Sequence, residues 1–527
     1  MKSFPLSLLI TILAGLSACS NQSGNKPIRQ PSPILFSKTY DPPVFKEKER
    51  MQKMVEVLSE SQHYYEAAAA ANHLPGLAYG VVVDDSLIFF GGCGTTNLDS
   101  GLPVTEHSLF RIASMSKSFT AMAILKLRDE GKLSLSDPAF SYIPELEQLT
   151  YLTGDATPVS IFNLLTMTAG FPEDNPWGDR FLDIADDVLM EQVKEGISFS
   201  SVTSLQFEYS NLGFGLLGHI ITLVSGDTYQ EYITKNILHP LGMNHTYWEY
   251  TEVPGDLLAQ GYRWENERWI SEPLLHDGAF GAMGGLITSI EDFSKYISLH
   301  LSAWPPRSEP ETGPVKRSTL REMHRMNNPG YHTDPNRFGK QTSPIMTGYG
   351  FGLRILLDHE GVLEVGHGGG LPGFGSYYMF YPQYGIGIMA FSNLTYGGRK
   401  VRTANYKVMK ELISRDLFNP RTLPVSDILE LRKEQVAQLI RSWDPELEKA
   451  IVATNLYMDI SREKRMDEAR ELLSKLGEIV SIGPLIPENQ LRGSFLLKGK
   501  EQNLRVYFTL TPEAVPRVQR LTLELNP

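Results

Sequence analysis

The feature that most constrains this chain is a polar pair at the head of an apolar run. Ser114-Met-Ser-Lys117 leads into residues 119–125, nearly all apolar, and the run closes with Lys126, Arg128 and Gly131. That is the pattern of a helix that enters a core and resurfaces at its C-terminal end. A serine and a lysine at the head of such a helix carry a desolvation cost, so the fold has to supply them with partners. A spacing of three sets both side chains on one helix face, one turn apart. A serine hydroxyl is a poor nucleophile at neutral pH until a base lies within hydrogen-bond reach. The helix N-terminus adds backbone N–H groups and a positive dipole end. A lysine desolvated among other positive groups loses proton affinity and can act as that base.

The spacing alone is weak, because Ser-x-x-Lys occurs three times: Ser23/Lys26, Ser114/Lys117 and Ser461/Lys464. The first lies in a polar, proline-rich stretch. The third lies in the charged segment 459–465 and reads as an exposed helix start. Two further elements complete the middle pair. Tyr209-Ser210-Asn211 precedes a second apolar helix, residues 212–224. A tyrosine beside a lysine can relay protons, and an asparagine amide can hold both the lysine and a substrate carbonyl. His367-Gly368-Gly369-Gly370 introduces a hairpin over residues 376–391. Glycines in a strand mark a close approach to the backbone, here by a substrate laid along the strand edge. His276-Asp277-Gly278 repeats the His-x-Gly pattern, but in a loop before Gly284-Gly285 with no strand after it.

Ser114-x-x-Lys117, Tyr209-x-Asn211 and His367-x-Gly369, in this order and at these separations, resemble the β-lactamase-related serine hydrolases. That superfamily includes class C β-lactamases, D-alanyl-D-alanine peptidases, D-aminopeptidases and some esterases. Leu164-Leu-Thr-Met-Thr-Ala-Gly170, His239-Pro-Leu-Gly-Met243 and Gly284-Gly-Leu-Ile-Thr-Ser-Ile-Glu-Asp292 extend the resemblance over residues 50–415. It implies that Ser114 attacks a carbonyl, that Lys117 and Tyr209 move protons, and that Asn211, His367 and Gly369 bind or orient the substrate. It also implies an oxyanion hole from the backbone N–H groups of Ser114 and Gly370, each typically worth about 10²–10³ in rate. Two positions depart from the pattern. His367 stands where many members carry lysine; a histidine is largely neutral at pH 7, so strong penicillinase or D-alanyl carboxypeptidase activity is put in doubt. Met167 replaces a histidine common in its segment.

The fold class expected is α/β (α+β): an antiparallel sheet flanked by helices, a helical subdomain, and a small C-terminal α+β domain. A helix is expected over residues 46–71. A hairpin follows, 77–83 and 87–91 about a turn at Asp84-Asp85, and strands 377–381 and 386–391 flank a turn with Pro382 and Gly385. Residues 302–345, dense in Pro, Ser, Thr, Asn and charge, read as a long surface excursion. After a boundary at residues 420–424 come helices over 426–442 and 462–476, then strands over 491–497, 504–510 and 518–525. A small cone-shaped fold of the nuclear-transport-factor type is one possibility for this domain.

Residues 1–19 have the positive start, short apolar stretch and small residues of an export signal. Leu16-Ser17-Ala18-Cys19 resembles the bacterial lipoprotein processing box, which implies lipidation of Cys19; Ser20, not Asp, resembles the pattern of outer-membrane lipoproteins facing the periplasm. The domains expected are a signal peptide 1–19, a tether 20–48, a hydrolase domain 49–417 and a C-terminal domain 424–527. No later segment has 18 uninterrupted apolar residues, so the lipid would be the sole membrane anchor. With Cys19 processed, Cys93 is left alone and reads as a small filler near a strand end. A net charge of −12 without a basic run argues against nucleic-acid partners. Gly-x-Ser-x-Gly, His-Glu-x-x-His and phosphate-loop patterns are absent. The partner expected is a small-molecule or peptide substrate, with no cofactor and no metal. The rival reading is a surface binding or sensor lipoprotein that uses the fold without turnover.

Overall fold

Two hairpins from opposite ends of the first four hundred residues meet in one sheet. The computed structural model describes residues 40–333 and 344–526, which leaves the leader, Cys19 and the Ser23/Lys26 pair outside the described residues. The chain divides into two compact units, Pro42–Thr422 and a C-terminal one from Leu423.

The larger unit is built on eight strands: β1 (Gly76–Val83), β2 (Ser86–Gly94), β3 (Asn327–Thr333), β4 (Pro344–Tyr349), β5 (Arg354–Asp358), β6 (Leu363–Leu371), β7 (Phe374–Tyr381) and β8 (Ile386–Ser392). Their order is β2-β1-β8-β7-β6-β5-β4-β3, with every pair antiparallel. β1 is buried along its whole length and sits against β8, Leu77 opposite Ser392. The turns match the chain chemistry: Asp84 and Gly385 both take positive φ.

Helices cover both faces. Arg50–Glu60, His63–Asn72 and Gly398–Ser414 lie on one, with Leu58, Tyr65, Val401 and Met409 packed against Tyr79, Met379 and Ile388. On the other, helix Ile290–Ser302 and the helical region around Lys117–Asp129 and Asn211–Ser225 form the larger core. The single N-terminal helix expected is two helices. They part at Ser61, whose hydroxyl donates to the Val57 carbonyl at 2.7 Å, a back-bond that bends helices. The excursion expected over 302–345 is partly regular: helix Arg317–Met323 buries Leu320 and Met323, and β3 and β4 form the sheet edge. An edge strand tolerates Pro329 and the exposed Tyr331, which is why its polar composition hid it. Residues 334–343 lie outside the described residues.

One detail positions the site. β6 pairs with β7 as far as Leu371 but with β5 only as far as Gly366. One edge of residues 367–371 therefore has no strand partner among the described residues.

The C-terminal unit sets helices Asp427–Ser442, Pro445–Ile451 and Arg462–Leu476 against a five-stranded antiparallel sheet. Val436, Leu439, Phe495, Val506 and Phe508 are among its core residues. Arg432 is wholly buried and is satisfied by the Pro516 carbonyl and Gln435 Oε1.

Candidate active site

The chain reaches the site through strand Phe110–Arg111, which pairs with Ile287–Thr288, and then a 3₁₀ turn, Ala113–Ser116, that opens helix Lys117–Asp129. Ala113 has φ +52°, a left-handed conformation that costs an alanine about 1–2 kcal/mol. The turn is held from several sides. Ser116 Oγ donates to the Ala113 carbonyl at 2.8 Å and accepts the Leu286 N–H at 3.1 Å. Ser376 Oγ on β7 donates to the Ile112 carbonyl at 2.8 Å. Such over-determination lets a strained residue persist. It presents Ser114, 7% exposed, above Lys117, which is fully buried.

Lys117 Nζ has three close oxygen partners: Ser114 Oγ at 3.1 Å, Asn211 Oδ1 at 2.7 Å and the Met283 carbonyl at 2.9 Å. The last two are acceptors only. A neutral amine has two N–H groups, enough for both, and a lone pair left for the Ser114 hydroxyl. Burial lowers the lysine pKa, opposed by Asp179 and Asp174 and reinforced by Arg354.

Asn211 opens helix Asn211–Ser225, whose first turn is capped twice. Ser210 Oγ accepts the Gly213 N–H, and the Asp174 carboxylate accepts the N–H groups of Asn211 at 2.6 Å and Leu212 at 2.8 Å. The Asn211 amide in turn donates to Asn175 Oδ1 at 3.2 Å, which fixes its oxygen toward the lysine. Tyr209, one residue before the cap, is buried with its ring centroid 5.0 Å from Lys117 Nζ. Burial holds its phenol protonated well above the ordinary range, against the pull of Arg354 and the Ser114 hydroxyl.

β6 forms the facing wall. The cleft, about 1370 Å³, is lined by Ser114, Tyr209, His367, Gly369 and Gly370 among others. A Cβ on Gly369 would fall 2.2 Å from both the Ile112 carbonyl and Ser376 Oγ, so only glycine lets the strand press against the nucleophile turn. His367 is 1% exposed. Its Nδ1 lies 2.5 Å from the Gly368 carbonyl, which can only accept, so Nδ1 carries the proton. Nε2 then accepts from the Tyr349 hydroxyl at 3.0 Å. Burial, with Arg354 and Lys117, holds the ring neutral, its pKa well below the usual histidine range. Both ring nitrogens are thus engaged within the protein, and the neutral ring expected from the sequence is held by these two partners.

The structure thus gathers Ser114, Lys117, Tyr209, Asn211, His367, Gly369 and Gly370 about one cleft. His276, the rival His-x-Gly histidine, is exposed and stays with Glu249 and Tyr250. Ser461 accepts the Lys464 N–H at 3.3 Å as the cap of helix Arg462–Leu476. Cys93 lies in β2 opposite Leu77, and burial pushes its thiol up to about 11, away from nucleophile chemistry. Five groups carried no signal in the sequence: Asp174, Asp179, the Met283 carbonyl, Tyr349 and Arg354. They arrive from the ends of short helices and from two strands, β4 and β5, whose placement no local spacing reveals.

Comparison with known proteins points to one family. A profile of the Beta-lactamase family matches residues 53–412. Protein flp of Staphylococcus aureus (strain MW2) is 26% identical over 376 residues, 69% of this chain and 67% of that protein. For the form from strain NCTC 8325 / PS 47 the shares are 61% and 60%, so the chain spans about two thirds or less of these relatives. A Beta-lactamase of Pseudomonas fluorescens is 27% identical over 361 residues, 63% of this chain and 92% of that protein. Among solved structures, the octameric penicillin-binding protein homologue from Pyrococcus abyssi superposes with a TM-score of 0.56 at 23% identity, over 89% of this chain and all of that one. A class C beta-lactamase gives a TM-score of 0.54 at 22% identity, over 68% and 96%.

Proposed function

The chain belongs to the Beta-lactamase family, whose fold carries serine hydrolase chemistry, and from that premise we propose that it cleaves an ester, amide or peptide bond of a small or cell-wall-related substrate through an acyl-enzyme on Ser114. The observation that carries this reading is the coordination of Lys117 Nζ. Asn211 Oδ1 and the Met283 carbonyl suffice for the two N–H groups of the neutral amine, whose lone pair is then free for the Ser114 hydroxyl at 3.1 Å.

Ser114 Oγ attacks the carbonyl carbon as its proton passes to Lys117 Nζ. The oxyanion meets the backbone N–H groups of Ser114 and Gly370. The C–X bond breaks, and the leaving group takes a proton from the Tyr209 hydroxyl, which Lys117 replaces. Tyr209 serves as relay rather than resting base, because burial disfavours its phenolate. Water then attacks the acyl-enzyme, the same groups run in reverse, and Ser114 is regenerated. Asn211 holds the lysine. His367 braces Tyr349 and packs near Tyr209, with ring centroids 6.2 Å apart.

The same reading includes export and attachment through a lipid on Cys19, supported by the leader sequence. Among the described residues no helix is long and apolar enough to cross a membrane. A fluorophosphonate probe, with intact-mass measurement of the native chain and Ser114→Ala side by side, tests the chemistry. One adduct on the native protein and none on the variant is expected. No adduct on a folded native sample would sink the hydrolase reading and leave a binding role.

A further inference from the structure

Met167 departs from the histidine common at its position, and the fold sets it where a side chain is disfavoured. Helix Ile161–Leu165 closes there with two bonds that reach back into its last turn. The Thr168 N–H donates to the Asn163 carbonyl at 2.9 Å, and the Met167 N–H to the Leu164 carbonyl at 3.4 Å. Met167, the residue that turns the chain, has φ +59°, a left-handed conformation in which helix ends usually place glycine. The turn is braced from within. A capping box of Ser160 and Asn163 opens the helix, and the Asn163 amide also donates to Thr168 Oγ1 at 3.0 Å and Ser204 Oγ at 2.9 Å. A strained residue held this firmly points to a use for its side chain.

That use lies on either side of Tyr209. The Glu208 N–H donates to the Met167 carbonyl at 2.9 Å, and the Ser210 N–H donates to Met167 Sδ at 3.1 Å. One residue thus grips the chain immediately before and immediately after the tyrosine. The sulfur also completes the head of helix Asn211–Ser225. The N–H groups of Asn211 and Leu212 go to the Asp174 carboxylate and that of Gly213 to Ser210 Oγ, while that of Ser210 goes to the sulfur. Met167 and Ser210 are both buried. A thioether is a weak acceptor, but a buried N–H left without a partner costs more than a weak bond contributes.

We propose that Met167 is a positioning residue, whose carbonyl and sulfur together aim the Tyr209 hydroxyl at the leaving group. Its part in the reaction rests on the hydrolase reading, through the role of Tyr209 as proton relay. The clamp itself is a feature of the fold and can be tested without turnover.

The test compares two esters of one acid on the full chain, phenyl and para-nitrophenyl butanoate. Nitrophenolate departs readily as an anion, whereas phenolate has the greater need of a proton from Tyr209. Met167→Leu keeps the volume and the backbone carbonyl and removes the acceptor. It is expected to lower kcat/KM for the phenyl ester by about tenfold, part of the roughly 10²–10⁴ that a placed proton donor supplies, and for the nitrophenyl ester by less than about threefold. Met167→Gln, whose amide oxygen can take the same N–H, should bring the two losses back together. Equal losses on the two esters in Met167→Leu, or no loss on either, would overturn the proposal. Hydrogen exchange at the Ser210 amide reads the clamp directly. Met167→Leu should speed it by at least about tenfold, while the Glu208 amide, bonded to the backbone carbonyl, keeps its native rate. Unchanged exchange at Ser210 overturns the clamp. If the native chain takes up no fluorophosphonate, the hydrolase reading fails, and the exchange result alone decides whether Met167 holds the Tyr209 segment.

Discussion

Ser114/Lys117 and Ser461/Lys464 share a spacing and a place at the start of a helix, and almost nothing else. At Ser461 the hydroxyl caps its own helix, accepting the Lys464 N–H, and both residues are exposed. At Ser114 the turn is 3₁₀, no side chain caps it, and the lysine is driven inward onto Asn211 and the Met283 carbonyl. Spacing places two side chains on one face; burial decides whether the amine gives up its proton. What separates the two turns is the apolar run after the first, which forces its head into the core.

The comparison can be broken most severely at the nucleophile. Ser114→Ala is expected to lower kcat/KM by at least about 10⁴-fold, while Ser461→Ala leaves it unchanged in the same ester assay. Lys117→Met should cost about 10²–10⁴-fold, against no effect from Lys464→Met. Its pH profile sharpens the point. Because burial lowers the Lys117 pKa, the neutral base exists at lower pH than for a lysine in water. The rate should therefore fall as pH drops through that titration, and Lys117→Met should lack this acid limb. Tyr209→Phe should cost about 10²-fold, mostly in kcat, as loss of a proton relay does.

Burial also acts on histidines that take no part in the site. His300 Nδ1 lies 2.9 Å from His324 Nε2, and the Trp304 indole N–H donates to His324 Nδ1 at 3.0 Å. Burial lowers both pKa values, that of His300 to about 3. The unfolded chain takes up these protons below about 6.5, so the stabilisation is complete above that pH and is lost as pH falls from 6.5 toward 3. Urea unfolding between pH 7 and 4.5 should show the larger unit weakening, and His300→Phe should flatten that slope. Smallest of all, Ser461→Ala should cost about 0.5–1 kcal/mol in the C-terminal unit, the worth of a helix cap, read from the same urea curves.

How much of this was legible follows from how local each signal is. The Ser114, Tyr209 and His367 elements each sit at the head of a helix or in a glycine-rich strand, so short-range spacing exposes them. Asp174 acts on a helix beginning 37 residues later. Tyr349 and Arg354 reach the site because β5 lies beside β6 and β4 beside β5, a matter of strand order. The split of the first helix at Ser61 turns on one hydroxyl bonding back to Val57. The strand at residues 327–333 was hidden because an edge strand does not need the apolar alternation that reveals an inner one. The sequence named His367 but not its state, since the two partners of its ring are a backbone carbonyl and a tyrosine on another strand.

The sheet order has a consequence for how the protein is made. The Gly76 N–H donates to Asn393 Oδ1 at 2.6 Å across 317 residues, and β1 finds its inner neighbour only in β8. A chain that emerges from its N-terminus, whether from a ribosome or through a secretion pore, holds β1 with an open edge until residue 392 has appeared. Such long-range closure slows folding. It leaves the completed sheet dependent on both of its distant ends.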